Sequence, residues 1–472
     1  MIGGGVNGSI TQALKHPTVE RIDYVELDPA LIDMARQFFP AQSAPVVSDP
    51  RVRMHYADGR HYLKTAGDTF DVIIVNVPDP QTAQLNRFYT AEFFRSARDH
   101  LASGGLLALQ LRSSEDYISP DLAEFLRCIH HTLREVFPYV VAVPGETIHF
   151  FAATRADVLT DNPQTLIARL QERNLKTQYV REYFIPFRMM PDRMEQVREQ
   201  LRPLTSTPVN RDFEPIAYYF DVVLWSTQFK LGYSRWFRAA AHIAFASVID
   251  VVLVITLFVA VLLAFVPARK RRARSAAACC MAATGFTLMA LQIFLLLAFQ
   301  SIYGYVYHQL TILIAMCMAG IAFGSWLGIR RIRSSDRRPY RTMSTTQFLL
   351  ALSGPALIFV VSMLSTKISG IATTWLAAQF VFPALAALCG MLGGYQFPIA
   401  TEVYLHDSNG RSRLGTLYAI DLLGGCAGAL VLSSYLIPVF GFWKTAWLSA
   451  AVNLAPFLLA ARVSLEAKTS RA

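Results

Sequence analysis

The sequence predicts an α/β Rossmann-like domain followed by an α-helical multi-pass membrane domain. Two observations carry this. Residues 1 to about 155 alternate short β-rich runs with helical stretches, beginning at a glycine-rich turn, Gly3-Gly4-Gly5-Val6-Asn7-Gly8. The C-terminal half holds seven apolar stretches, roughly 242–266, 276–300, 304–328, 345–363, 372–396, 415–437 and 442–461, each near the ~20 residues that span a bilayer. With 472 residues, 53% of them hydrophobic, the chain is too long and too apolar for one soluble domain. The expected division is 1–155 for the α/β domain, 156–240 for a connecting region, 241–462 for about seven membrane helices and 463–472 for a polar tail.

Within the α/β domain the elements follow in order. Glycine-rich turns normally close a buried strand, where the missing side chains let backbone N–H groups approach a ligand. Only Met1 and Ile2 precede this turn, so the chain is expected to start inside its fold, without the first strand. Ile22–Glu26 reads as a strand, then a helix from Pro29 to about Phe39, a strand at Val52–Tyr56 and a doubly buried strand at Phe70–Val75. A helix near 91–101 leads through Ser103-Gly104-Gly105 into a strand at Leu106–Gln110. A helix over about 120–136 and strands near 138–143 and 148–153 complete the domain; such a terminal hairpin is common in class I methyltransferase-type sheets. One amphipathic helix is expected near 191–202. Tyr218 to Phe237, with Trp225, Tyr233 and Trp236 beside Lys230, Arg235 and Arg238, suits an interfacial segment.

The net charge of +10 does not point to nucleic acid, because of where it lies. Arg269-Lys270-Arg271-Arg272 with Arg274, then Arg330, Arg331, Arg333, Arg337, Arg338 and Arg341, then Arg411 and Arg413 fall in every second short loop between the spans. That is the positive-inside pattern. Cys128, Cys279, Cys280, Cys317, Cys389 and Cys426 have neither disulfide nor metal-ligand spacing, so no metal is expected. No cleavable signal peptide is visible.

Three sites fall at the ends of successive parallel strands: the Gly3–Gly5 turn with Gly8, Glu26, and Asp58-Gly59. An acidic residue after the second strand accepts hydrogen bonds from ribose hydroxyls, and such sites converge on the switch-point crevice of an open sheet. Asp58 is placed to reach an adenine amino group, with Gly59 letting the ring lie close. A glycine turn alone also serves ordinary tight turns. The spacing to Glu26 makes a nucleoside site the stronger reading.

These residues, with Val25-Glu26-Leu27-Asp28, Asp49-Pro50-Arg51-Val52 and Val77-Pro78-Asp79-Pro80, resemble the spermidine synthases, the polyamine aminopropyltransferases. Leu85-Asn86-Arg87-Phe88-Tyr89-Thr90, Phe397-Pro398 and Tyr418-Ala419-Ile420-Asp421 are similar to their bacterial membrane-embedded branch. The resemblance implies that Gly3, Gly4 and Gly5 flank decarboxylated S-adenosylmethionine as co-substrate, with no tightly bound cofactor. It implies that Glu26 binds the ribose, Asp58 the adenine, and that Asp79 helps hold the amine. Asn76 stands where the family has its general-base aspartate, and Val6 where an aspartate follows the glycines. An amide neither accepts the amine proton nor attracts a polycation as a carboxylate does. Glu115, Asp116 and Glu146 are further acidic candidates.

In the membrane half, Gly320/Gly324/Gly328, Gly390/Gly394 and Gly424/Gly428 have small-xxx-small spacing, which favours close helix packing. Asp250 and Asp421 are ionisable residues inside spans, which raises a functional question. The expected function is a membrane-anchored, spermidine synthase-like protein transferring an aminopropyl group to a polyamine such as putrescine. A catalytically inactive sensor or transport-related protein, and an S-adenosylmethionine-dependent methyltransferase, stay open. The expected partners are the amine and the lipid bilayer, not nucleic acid, with a homodimer open. The expected place is the bacterial inner membrane, the soluble domain on the cytoplasmic side.

Overall fold

A computed structural model describes residues 1–115, 117–175, 177, 180–227, 238–265, 269–304, 307–333, 339–367, 375–405 and 411–469. Asp116, Lys230, Tyr233, Arg235, Trp236, Arg337, Arg338 and the last residues of the polar tail lie outside them. The chain divides into two units, Met1–Phe237 and Arg238–Ala472.

In the first unit β1 (Ile22–Glu26) pairs in parallel with β2 (Val52–Tyr56), and β3 (Phe70–Val75) in parallel with β4 (Leu101–Arg112). β6 (Thr147–Ala153) runs antiparallel to both β4 and β5 (Tyr139–Val143). Ile2 joins the two ladders. It bridges Val25 and Val75 in parallel; its N–H donates to Ile74 O at 2.8 Å and its carbonyl accepts from Asn76 N at 2.9 Å. Residues Met1 to Gly3 thus fill the lane between β1 and β3 where the sequence left no strand. The Met1 amine is buried there, donates to Asp23 O at 2.7 Å, and is pulled down to about 6 by that burial.

Local chemistry explains the helices around this sheet. Asp28 caps α2 (Pro29–Phe38) by accepting from Ala30 N at 2.9 Å, with Pro29 at its first position. Ser119 caps α7 (Pro120–Arg134), whose buried face carries Phe125, Leu126, Ile129 and Leu133 at helical spacing. Pro40–Ser48 is also helical, with Pro45 inside it. The fourth strand differs from expectation. It starts at Leu101, and Ser103-Gly104-Gly105 form an irregularity within it, so the pairing shifts from Phe70↔Leu101 to Val72↔Leu106.

Of the residues that carry the expected interfacial segment, only Trp225, which is exposed, and Arg238 are described. Ile216–Ser226 is a helix that buries Tyr219, Phe220, Val223 and Leu224 in the first unit, packed on α7. Its aromatic and apolar content suits a core as well as a membrane surface, and composition alone does not separate the two.

The second unit is helical. Among the described residues five helices are long and apolar enough to cross a membrane, against seven expected: Arg271–Tyr303, His308–Arg333, Pro339–Ser365, Ala377–Leu405 and Leu414–Ala467. The last covers the sixth and seventh apolar stretches, but the backbone leaves helical geometry at Gly441 (φ 75, ψ 176). The first stretch is the helix Phe245–Ala264. A Cβ on Gly320 would meet Ala387 O, on Gly324 Met391 O, on Gly390 Cys317 O and on Gly394 Ile321 O. The two glycine pairs therefore set one close helix–helix approach. A buried amide ladder crosses the unit: Gln396 Nε2 donates to Gln347 Oε1 at 3.2 Å, Gln347 Nε2 to Asn453 Oδ1 at 2.6 Å, and Asn453 Nδ2 to Thr287 Oγ1 at 2.7 Å. Asp250 is exposed, and Asp421 packs its backbone where a Cβ on Gly285 would stand.

Candidate functional site

The first unit gathers its polar side chains at the carboxyl ends of β1, β2 and β3. The glycine turn bends there through positive φ at Gly3 (69), Gly4 (61) and Gly8 (101), conformations that side-chain-bearing residues rarely adopt. Packing adds a second reason for glycine. A Cβ on Gly3 would lie 2.9 Å from Asn76 O, one on Gly4 would strike the Asn76 side chain, and one on Gly5 would lie 2.6 Å from the Tyr24 ring. Nothing lies within 4 Å of a Cβ on Gly8. The turn is pressed onto the end of β3 and still leaves Gly8 open.

Glu26 ends β1 with its carboxylate held at both oxygens. The Tyr24 hydroxyl donates to Oε2 at 2.7 Å, while Leu27 N and Asp28 N donate to Oε1 at 2.9 and 3.3 Å. Burial and this carboxylate push the Tyr24 phenol up, so it stays a donor. Oε1 already accepts from two N–H groups, and Oε2 keeps an acceptor site for a ribose hydroxyl.

Asp58 follows β2 but turns inward. Its Oδ1 caps α4 (Gly59–Thr65) by accepting from Arg60 N at 3.1 Å and His61 N at 3.0 Å, and Oδ2 pairs with Arg87. Arg60 in turn pairs with Asp212, which also accepts from Thr90 Oγ1 at 2.7 Å. A Cβ on Gly59 would run into Ile2 Cγ2. The structure thus gives Asp58 and Gly59 roles in helix capping and close packing beside the one the sequence suggested.

β4 fixes the loop after β3. Gln110 and Arg112 are two apart on the strand and share a face. Gln110 Nε2 donates to Asn76 Oδ1 at 3.0 Å, and Asn76 Nδ2 donates to Gly4 O at 3.4 Å and Ser9 Oγ at 3.3 Å. Arg112 places Nε 3.2 Å from Asp79 Oδ2, donates its backbone N–H to Asp79 Oδ1 at 3.3 Å, and pairs through Nη2 with Asp221 on α11 (Ile216–Ser226). Burial raises the Asp79 carboxyl, with Arg112 opposing; Asp221 is pushed up to about 6, chiefly by burial.

Asn76 and Asp79 are thus brought beside the glycine turn and β4. Glu115 is not: it pairs with Arg193 at 3.0 Å at the surface. Tyr24, Gln110, Arg112 and Asp221 were missed in the sequence. The period of two along β4 could have flagged Gln110 with Arg112; nothing local marks Asp221. Among the described residues no group of three His, Cys, Asp or Glu could hold a metal ion.

Residues 1–157 match a known family model, Spermine/spermidine synthase domain. Those residues form a spermine/spermidine synthase domain. The polyamine aminopropyltransferase of Nitrosomonas europaea is 33% identical over 178 residues, 37% of this chain and 54% of that protein. Polyamine aminopropyltransferase 2 of Ralstonia nicotianae is 36% identical over 166 residues, 33% of this chain and 32% of that protein. The matches thus span about half or less of these relatives' own lengths. The spermidine synthase structure from Thermotoga maritima is similar with a TM-score of 0.34 and 24% identity, over 42% of this chain and 66% of that one. The matched range contains the glycine turn, Glu26, Asp58, Asn76 and Asp79.

Proposed function

We propose that the synthase domain binds decarboxylated S-adenosylmethionine and transfers its aminopropyl group to a primary amine. The supporting observation is the Glu26 carboxylate, held by Tyr24 and two backbone N–H groups beside the Gly3–Gly5 turn. The relatives named as polyamine aminopropyltransferases point to polyamines such as putrescine as the acceptor class. The second unit is read as a multi-pass anchor in a bacterial inner membrane, with the synthase domain cytoplasmic; its five long apolar helices support the membrane reading.

In the reaction the amine nitrogen attacks the methylene carbon beside the sulfonium. A C–N bond forms, the C–S electrons return to sulfur, methylthioadenosine leaves, and the nitrogen loses a proton. Asn76 has no basic atom to take that proton, and Asp79 is paired with Arg112. The amine therefore arrives already neutral and gives its proton to water. Since such amines have an unperturbed pKa near ~10.4, transfer is slow at neutral pH and rises with pH.

A second reading, a nucleoside-binding sensor without transfer, is favoured by Asn76 serving as a tie between Gly4 and Gln110. The test is mass spectrometry of the full chain incubated with decarboxylated S-adenosylmethionine and, in separate runs, putrescine and butylamine. Aminopropylated product and methylthioadenosine in equal amounts, at a rate climbing about tenfold per pH unit between roughly 7 and 9, support transfer. Nucleoside binding with neither product supports the sensor.

A further inference from the structure

Arg112 sits between two carboxylates that the chain brings from distant elements, Asp79 after β3 and Asp221 on α11. The Asp79 and Asp221 side chains are 13% and 5% exposed and the Arg112 side chain 33%, with its Nε buried. The cation joins the two carboxylates. Its contact with Asp79 is doubled by the backbone N–H of the same residue at 3.3 Å. Gln110, two residues earlier on the same strand face, fixes Asn76 in the same loop, so Arg112 is carried on a rigid strand rather than a mobile loop.

The resemblance assigns Asp79 to the amine; on the transfer reading proposed above, it would receive the far ammonium of a diamine. We infer that Arg112 is a specificity-determining residue: it supplies from within the chain the positive charge that this ammonium would bring, and so turns the domain's acceptor preference from diamines towards monoamines. A diamine has to displace a guanidinium that is held by two carboxylates. Otherwise its far ammonium stands beside a like charge, which disfavours the complex. A monoamine brings no second charge and leaves the Asp79–Arg112–Asp221 cluster in place.

The test is titration calorimetry on the full chain in lipid nanodiscs, first with decarboxylated S-adenosylmethionine, then with putrescine or butylamine, which share a four-carbon chain. The unaltered chain is expected to bind butylamine at least as tightly as putrescine. Arg112→Gln should tighten putrescine about tenfold and move butylamine less than about threefold. Arg112→Lys should stay close to the unaltered chain, because a point charge still reaches one carboxylate. Unchanged or weaker putrescine binding by Arg112→Gln, with nucleoside binding intact, overturns the inference. If Arg112→Gln does not fold, judged by loss of nucleoside binding, Asp221→Asn decides: Arg112 then serves Asp79 alone, so putrescine should weaken at least about threefold while butylamine holds. Equal putrescine affinity overturns the inference there too. Absence of nucleoside binding by the unaltered chain would instead contradict the proposed function, and this inference with it.

Discussion

Asn76 Nδ2 donates to the Gly4 carbonyl at 3.4 Å, while its Oδ1 accepts from Gln110. The amide works in both directions: its NH2 faces one acceptor on the turn, and its oxygen faces a donor on β4. A carboxylate there would keep the Gln110 bond but aim an acceptor at the Gly4 oxygen.

Asn76→Asp is therefore expected to weaken nucleoside binding about fivefold, the order of one lost hydrogen bond plus an unfavourable oxygen pair. Calorimetry with methylthioadenosine measures it. Equal or tighter binding would show that the amide is not what seats the turn.

Tyr24→Phe removes the donor to Glu26 Oε2 and leaves the buried ring, Tyr24 being fully buried. The expected loss of nucleoside affinity is about five- to tenfold, near 1 kcal/mol. An unchanged affinity would mean that the backbone N–H groups of Leu27 and Asp28 are enough to orient the carboxylate.

Asp221 gives a pH signature. Its carboxyl is pushed up to about 6, first by burial, with Arg112 opposing and Asp79 adding. The unfolded value is near ~3.9, so the folded state holds the proton more strongly between the two values. Stability from this group is thus present below about 4 and falls as pH rises to about 6, by about 3 kcal/mol. Thermal unfolding of the chain and of Asp221→Asn, compared from pH 4 to 7, should show the difference changing over that window and level above it. A pH-independent difference would contradict the assignment.

In the second unit, Gly390→Val is expected to lower thermal stability in detergent by about 1–3 kcal/mol, since its Cβ would meet the Cys317 carbonyl. Gly415→Ala is the control, with nothing within 4 Å of its Cβ. Equal melting of the two variants would remove the close-approach account of the glycine pairs.

Much of the fold was legible because it rests on local periodicity. The strands at Ile22, Val52 and Phe70, the capped helix after Ser119 and the glycine pairs all show in short windows. Contacts across the chain did not. Ile2 acts as a strand only because β1 and β3 flank it, and no window of sequence states that. Asp221 reaches Arg112 only after α11 packs on α7. The amide ladder joins Thr287, Gln347, Gln396 and Asn453, isolated polar residues in separate apolar stretches. Asp58 was visible as a carboxylate at a strand end, but its turn inward depends on Arg87 and on the N-terminus of α4.

The central claim is that the Glu26 carboxylate and the Gly3–Gly5 turn form the seat of an aminopropyl donor. Its most direct measurement is titration of decarboxylated S-adenosylmethionine into the full chain and into Glu26→Gln. The account predicts saturable one-site binding by the unaltered chain and a loss of about a hundredfold in the variant, the order of about 3 kcal/mol for charge-assisted bonds to a diol. No binding by the unaltered chain, or the same affinity in both, would contradict it.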